Sequence, residues 1–471
     1  MTQTTTDVVI GLDVGTTAVK AVAFAVGSNR RHTAVREYPL LQPEPGWRTQ
    51  DPDVVLAQTW AALRESLSWV GSARVVAVSV SAAMHGLIGL DVGYRPLTPL
   101  VTWADGRSGE ESRHLHSSGQ AAGLLAATGT PVHPMSPLPK LMWFARHEPE
   151  LCARVRWWVG LKEYLLLALS GSLVTELSSA SGTGLLDLAA RDWHADAIAL
   201  AGINREQLPP ILATTAVLPL GLRAAAGTGL PAGTPVVTGA ADGPLGNLGT
   251  GAMSPGVAGL SLGTSGALRV VVPEPRVDAE RGLFCYALTD DAWVVGGAVS
   301  NGGAVVRWAG DVFGRDLRSA DGGPPPDAAL LELAGQITAG SDGLVMLPYL
   351  LPERSPSSDP ALTGAFLGIR HSHTRGHFVR AAVEGVAQQL AAILRQVDGV
   401  TPVSSVRATG GALRSPLWRE VLADALGRPL SVTGEAEGTA LGAAGLALFA
   451  TGRAPSPEAG VRLVEAVSAA A

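Results

Sequence analysis

Residues 8–24, VVIGLDVGTTAVKAVAF, return 248 positions later as GVAGLSLGTSGALRVVV at 256–272. Gly11/Gly259, Leu12/Leu260, Gly15/Gly263 and Thr16/Thr264 coincide, and Thr17/Ser265 is a conservative pair. Each copy has an apolar β-prone run, a Gly-Thr-Thr/Ser turn and a second β-prone run. That is the pattern of a hairpin in which glycine permits a sharp, open turn. The offset is about half of the 471-residue chain. The repeat therefore asks for two halves built alike, each opening with the same hairpin, with the two Gly-Thr turns facing each other across a cleft. The division falls at residues 1–246 and 247–471.

Elsewhere strands and helices alternate, which implies α/β layers. Arg74–Ser81 reads as a buried strand, Thr234–Gly239 and Ser405–Thr409 as shorter ones. Asp51-Pro52 is an N-cap and first-turn proline opening a helix with Val55, Leu56, Trp60, Leu63 and Leu67 on one face. Phe378–Val397 is an amphipathic helix with Ala382, Val386, Leu390, Ile393 and Val397 inward, and Ser415-Pro416 caps another. The segment 320–326, ADGGPPP, reads as a loop.

With 46% hydrophobic and 16% charged residues, the chain has the composition of a packed protein, not a disordered one. The net charge of −6 and the lack of a basic block argue against nucleic acid or an anionic membrane as partner. The longest uncharged stretch, 243–268, holds eight glycines and two prolines, which is wrong for a membrane helix. Cys152 and Cys285 stand in no metal or redox spacing, and residues 1–7 are polar, so a cytoplasmic protein with reduced thiols is expected. Only Lys20, Lys140 and Lys162 are lysines, which makes each worth attention.

Asp13-Val-Gly-Thr-Thr17 sets a carboxylate at a strand end beside a glycine turn with two hydroxyls. Turn amides and hydroxyls cradle phosphate oxygens, and a carboxylate suits a hard cation such as magnesium. Gly263-Thr264-Ser265-Gly266 offers the same donors from the second half, with Ser261 in place of the aspartate. Two related copies, one with the acid, point to a nucleoside triphosphate site. Asp242, beside Gly243 and after a strand, has the reach of a base for deprotonating a hydroxyl; capping of the next turn is an equal alternative. Gly410-Gly411 allows close backbone approach by a flat ligand. Met84-His85 and Trp103-Ala-Asp105-Gly-Arg107 combine apolar and hydrogen-bonding groups, as a polyol pocket requires. His371, His373 and His377 lead into a helix without nearby cysteine or acid, so a solvated helix entry outweighs a metal cluster. Gly259-Leu-Ser261-Leu-Gly263 matches the hydrolase elbow G-x-S-x-G, but a strand follows where that elbow needs a helix.

Taken together, these strings resemble the FGGY family of carbohydrate kinases, within the actin-like, ribonuclease-H-like ATPases. DVGTTAVK (13–20) is similar to its first phosphate motif, SLGTSG (261–266) to its second, and ATGGALRSPLW (408–418) to its adenosine motif. SAAMH, TWADGRS, TGTPVHPMSPLPKL, GLKEY, GAADGPLGNLG and VVGGAVSNGGAVVRW resemble its gluconokinases in particular; xylulokinases share the Met-His pair and the Trp-x-Asp-x-Arg pattern. The resemblance implies two actin-like domains around a central cleft, binding ATP and Mg²⁺ and phosphorylating gluconate, with xylulose or another polyol as the alternative acceptor and a homodimer left open. By resemblance Asp242 is the catalytic base, and Asp13 and Asp242 flank the metal. Thr16, Thr17, Lys20, Gly263, Thr264, Gly303 and Arg307 would serve the phosphates and ribose, and Gly411 and Ser415 the adenosine. Met84, His85, Trp103 and Asp105 would line the sugar site, and a cation must meet the gluconate carboxylate, for which Arg107 and Lys140 are the candidates. The family's Gly-Glu-Arg-x-Pro-x-Trp appears here as Pro352-Glu-Arg-Ser-Pro-Ser-Ser358, and the chain stops at Ala471, earlier than many relatives.

Overall fold

The computed structural model describes residues 6–317, 326–356, 362–433 and 437–465. Residues 320–325, Ser358 and the Ala-rich end at Ala471 lie outside them. In the first half the elements that matter are β1 (Asp7–Val14), β2 (Ala18–Ala25), β3 (Arg31–Glu37), α1 (Pro52–Val70), β4 (Arg74–Ala82), α2 (Pro137–His147), α3 (Leu161–Ser170), β5 (Val217–Pro219), β6 (Pro235–Val237) and α4 (Asp242–Gly249). The second half has β7 (Val257–Leu262), β8 (Gly266–Val272), β9 (Phe284–Thr289), β10 (Ala292–Val299), α5 (Ala304–Phe313), α6 (Arg375–Asp398), β11 (Ser405–Thr409), α7 (Pro416–Leu426), β12 (Leu430–Val432), α8 (Gly438–Ala450) and α9 (Pro457–Val464).

The first sheet runs β5-β6-β4-β1-β2-β3 and the second β9-β10-β8-β7-β11-β12. Both are built on one plan. β1 pairs antiparallel with β2 and parallel with β4, just as β7 pairs antiparallel with β8 and parallel with β11. β6 and β12 then add parallel strands at matching places. Asp13 lies opposite Lys20 and Ser81, and Ser261 opposite Ala267 and Thr409. The repeat seen in seventeen residues thus extends to two whole sheets. Ser261 leads from β7 into a hairpin, so no strand-to-helix elbow forms around it.

Asp51 caps α1 by accepting from the Asp53 and Val54 amides (2.9 and 3.3 Å). α6 begins three residues before the expected start, at Arg375, because His377 closes a cap with Thr374. All five inward residues named for it are fully buried. The four larger of these, Val386, Leu390, Ile393 and Val397, contribute on the order of 1.5–3 kcal/mol each by leaving water.

Two features of the fold cross the halves. α8 and α9 return from the second half and pack on the first sheet; α8 lies so close to β1 that a Cβ on Gly11 would sit 2.0 Å from the Ala440 carbonyl. α8 also crosses α4, where a Cβ on Gly442 would meet the Leu245 carbonyl at 2.1 Å. A division after residue 246 falls within α4. On the other flank, the long insertion between β4 and β5 reaches the edge of the second sheet: Cys285 N donates to Gly129 O (2.8 Å) and Ala287 N to Ser181 Oγ (3.0 Å). Among the described residues no helix is long and apolar enough to cross a membrane.

Candidate active site

Between the halves lie two adjoining cavities. The larger, about 440 Å³, is bounded by Asp13, the N-terminal turns of α4 and α8, Ser261, and the Thr409–Gly411 turn. The other, about 290 Å³, is bounded by Thr16, Met84, His85, Trp103, Tyr286 and Arg354 among others. Asp242, Gly243, Ser261 and Arg269 line both. Thr16 from one Gly-Thr turn and Ser265 and Gly266 from the other face the same cavity, as the repeat demanded.

Asp242 opens α4, directly after the turn that follows β6. Its Oδ1 accepts from Gly243 N (2.9 Å), and the Met84 amide also bonds the carboxylate. Burial raises its pKa, against the pull of Arg269 and these amides. The turn before it is braced from behind: Ala241 N donates to Ser178 Oγ (3.1 Å), and the Ser178 amide donates to Glu176, which pairs with Lys162 at 2.8 Å. Both ends of that ion pair are almost fully buried, so removal of one would strand a charge. Asp13 sits across from Lys20 in the hairpin. Burial and the nearby Asp242 carboxylate push its pKa up to about 6, with Lys20 opposing.

His85 is held at φ 66°, in the left-handed region that side chains with a Cβ avoid. Two bonds hold it there. Its Nδ1 lies 2.7 Å from the Gly182 carbonyl, so Nδ1 carries the proton and Nε2 is left as an acceptor. Its own carbonyl accepts from Lys140 Nζ (2.6 Å). Burial drives the imidazole pKa down to about 3, so it stays neutral. Trp103 Nε1 donates to Thr16 Oγ1 (2.8 Å), tying the sugar-side wall to the first Gly-Thr turn.

Of the remaining expected residues, several lie elsewhere than on the cavity walls. Lys140 is fully buried on α2, behind the wall, with Nζ on the carbonyls of His85, Thr102 (2.8 Å) and Val101 (3.4 Å). Burial lowers its pKa to about 7, while Asp105 favours the ammonium. Arg107 grips Asp105 through Nε and Nη2 (2.8 and 2.9 Å), with 4% and 0% of the two side chains exposed. Its guanidinium stacks 3.7 Å from the Trp47 ring, and Asp105 also accepts from Arg48 N (2.7 Å). Neither cation reaches a cavity wall, because each has its partners in the interior. Gly303 and Arg307, at the start of α5, close on the second Gly-Thr turn: Gly303 N donates to Gly263 O (2.8 Å) and Arg307 Nη2 to Thr264 Oγ1 (3.2 Å). Thr17, Gly263 and Thr264 are exposed at the rim. Gly411 lines the larger cavity, whereas Ser415 stands at the start of α7 outside it. Gly410 adopts φ 122°, and a Cβ there would meet the Leu262 carbonyl at 2.2 Å. His373 and His377 are engaged in turns at the entry to α6.

Three cavity groups escaped the sequence. Arg354 has Nη2 on the Val299 carbonyl (2.8 Å), lies 5.3 Å over the Trp103 ring, and keeps a buried Nε without a partner. The hydroxyl of Tyr286 is likewise buried and unpartnered. Arg269, on β8, donates from Nη1 to Ser261 Oγ (3.2 Å). Arg354 was visible only as part of an unusual Glu-Arg-x-Pro string. Nothing in the local pattern of β8 marks Arg269 except a cation in an otherwise apolar strand.

Unpaired buried donors facing a cavity are the mark of a ligand site. Asp13 and Asp242 converge on the larger cavity, each carboxyl with its pKa raised by burial, and two oxygen ligands plus phosphate and water satisfy Mg²⁺. The residues therefore fit that cation. Among the described residues no group of three or more acidic, histidine or cysteine side chains forms a metal cage.

Comparison with known proteins identifies the family. Residues 8–249 match the N-terminal domain and residues 258–451 the C-terminal domain of the FGGY family of carbohydrate kinases. The gluconokinase of Bacillus subtilis (strain 168) is 36% identical over 461 residues, covering 96% of this chain and 90% of that protein. The gluconate kinase of Lactobacillus acidophilus superposes with a TM-score of 0.91 at 31% identity, covering 98% of this chain and 92% of the other. A ligand-bound xylulose kinase from the same organism gives 0.91 at 32%, with the same coverage.

Proposed function

Because the chain belongs to the FGGY family of carbohydrate kinases, we propose that it transfers the γ-phosphoryl group of ATP to the 6-hydroxyl of D-gluconate. The enzyme is an ATP-dependent sugar kinase with two actin-like domains around a cleft; the acceptor and the residue roles are the proposal. The observation that carries the choice of a sugar acid is Arg354. It brings a buried, half-satisfied guanidinium to a pocket whose wall also holds Trp103, Met84, Tyr286 and neutral His85, with Asp242 and Arg269 at the junction with the larger cavity. A carboxylate entering such a pocket costs several kcal/mol unless a donor of this kind meets it.

In this arrangement the carboxylate lies against Arg354, and hydroxyls meet His85 Nε2 and Tyr286 Oη. The terminal hydroxyl reaches Asp242 at the junction of the cavities. Asp242 accepts the hydroxyl proton as the oxygen bonds to the γ-phosphorus. The amides of Gly243 and Met84 hold the carboxylate in place, and its raised pKa makes it a stronger base. The Thr409–Gly411 turn and the start of α8 would take the adenosine. Asp13 and Asp242 would hold Mg²⁺, which would supply positive charge to neutralise the phosphates. Lys140 and Arg107 serve as positioning residues: one fixes the His85 and Thr102 backbones, the other fixes Asp105.

Replacing Arg354 by Met tests the assignment. Charged hydrogen bonds contribute about 1.5–3 kcal/mol, so KM for gluconate should rise roughly 10- to 150-fold. KM for ATP should hardly move, and any weak activity on xylulose should be spared. An equal loss on gluconate and xylulose would remove Arg354 as the carboxylate partner. Similarity to xylulose kinases of nearly equal degree keeps xylulose as the alternative acceptor.

A further inference from the structure

We propose that Arg269 is a catalytic residue of the phosphoryl transfer, its guanidinium donating to the γ-phosphoryl oxygens as the group passes between ATP and the sugar. The proposal rests on the kinase reaction and not on which sugar is the acceptor.

Position is the first argument. A transferring phosphorus must lie where the nucleotide and sugar compartments meet. The four residues common to both are Asp242, Gly243, Ser261 and Arg269, and Arg269 alone among them is a cation. The guanidinium lies against the first turn of α4: an atom added at Gly243 would be 3.4 Å from both Nε and Nη2. The base and the arginine therefore flank the same point.

The strand geometry supplies the second argument. On the sheet, the residues directly opposite Arg269 are Gly259 on β7 and Gly296 on β10. Neither carries a side chain that could crowd the arginine, although Asn247 Oδ1 fills the space over Gly259, and the Arg269 side chain opens onto both cavities. Its contact with Ser261 Oγ is made by Nη1, and a guanidinium has five N–H donors. Ser261 is itself informative. It occupies in the second half the position of Asp13 in the first, so the repeat has replaced a carboxylate by a hydroxyl at the place where an arginine arrives. An aspartate there would pair with Arg269 and withdraw it from a phosphate; a serine orients it without neutralising it.

In the step itself, the sugar oxygen forms its bond to the γ-phosphorus while the bond from phosphorus to the β–γ bridging oxygen breaks. The electron pair of that bond leaves with ADP, and the hydroxyl proton goes to Asp242. Charge spreads over the equatorial phosphoryl oxygens during this passage, and donors fixed in advance stabilise it. Tyr286, Arg354 and Asp242 are the other polar or charged groups sensed by Arg269, and none of them supplies a second cation to both compartments.

The test uses Arg269→Gln and Arg269→Lys in the full chain, with whichever sugar the wild type phosphorylates fastest. The expected result is a kcat lower by roughly 10²–10⁴-fold for the Gln variant, less for Lys, with both KM values within a few-fold. Binding of ADP with aluminium fluoride, a planar mimic of the phosphoryl group in flight, should weaken in parallel with kcat. Binding of ADP alone should not, and this binding also shows that the variant is folded. Two outcomes would overturn the proposal. If the Gln variant regains wild-type kcat at high pH, Arg269 acts only by keeping Asp242 ionised. If KM for the sugar rises while kcat is retained, Arg269 is a substrate-holding group.

Discussion

Asp13→Asn should make the protein more stable in the absence of metal and nucleotide. Asp13 carries a charge that the folded cleft disfavours: its pKa stands at about 6 against 3.8 for a free side chain, through burial and the proximity of Asp242. A carboxyl whose folded pKa is raised binds its proton more tightly in the folded state. The folded state is therefore penalised once both states are ionised, above pH ~6, and the penalty fades as pH falls from 6 towards 4. At about 1.4 kcal/mol per pKa unit, a rise of about two units is worth ~3 kcal/mol, and solvent in the open cleft screens part of it, leaving ~1–3 kcal/mol. A domain the size of one half gains roughly 2–4 °C in Tm per kcal/mol. The assay is thermal unfolding with EDTA at pH 7.5 and again near pH 4.5. The variant should melt several degrees above wild type at the higher pH, with most of the gap closed at the lower one. Adding MgATP should then raise wild-type Tm much more than that of the variant. A variant no more stable than wild type at pH 7.5, or a gap that does not depend on pH, would refute the reasoning.

Asp242→Asn should still bind metal-free ATP by calorimetry yet lose about 10²–10⁴-fold in kcat, the usual worth of general-base help. Lys140→Met should leave the His85 carbonyl without a donor, remove the Nζ bonds to Thr102 and Val101, which keep backbone donors from Asp105 and Leu87, and lower stability by about 1–3 kcal/mol in urea unfolding. Because Nζ fixes the His85 and Thr102 backbones and does not line the cleft, its effect on gluconate turnover should fall on kcat and KM together, with KM for ATP unchanged in steady-state assays.

The repeat was the most informative part of the sequence. Seventeen residues at an offset of 248 anticipated two sheets of matching strand order and the meeting of Thr16 with Ser265 and Gly266 in one cavity. Strand 405–409 and the helix around 378–397 were legible because propensity and burial agree there. The crossing of α8 and α9 onto the first sheet was not legible, since an apolar helix carries no mark of which sheet it will cover. The same limit applies to the site. Asp13, Asp242, Met84, His85, Trp103 and Gly411 reach the cavities, where motif and turn chemistry coincide. The cations did not follow from rarity or from their neighbours in sequence. Lys140 and Arg107 are close to the right strings but face the interior, and the carbonyls and Asp105 that hold them come from elsewhere in the chain or from a local turn. Arg269 and Arg354 reach the cleft from strands and loops of the other half, a placement that only tertiary structure reveals.

The central claim is that this cleft selects a sugar acid and phosphorylates its far end. It is tested most directly by competition: equal amounts of D-gluconate and D-xylulose with limiting ATP and Mg²⁺, the phosphorylated products resolved by ³¹P and ¹³C NMR. The ratio of products gives the ratio of kcat/KM without further assumption. The account predicts 6-phosphogluconate as the dominant product, and no phosphate from the Asp242→Asn variant on the same timescale. Predominant xylulose 5-phosphate, or phosphate on any gluconate hydroxyl other than that at C6, would contradict it.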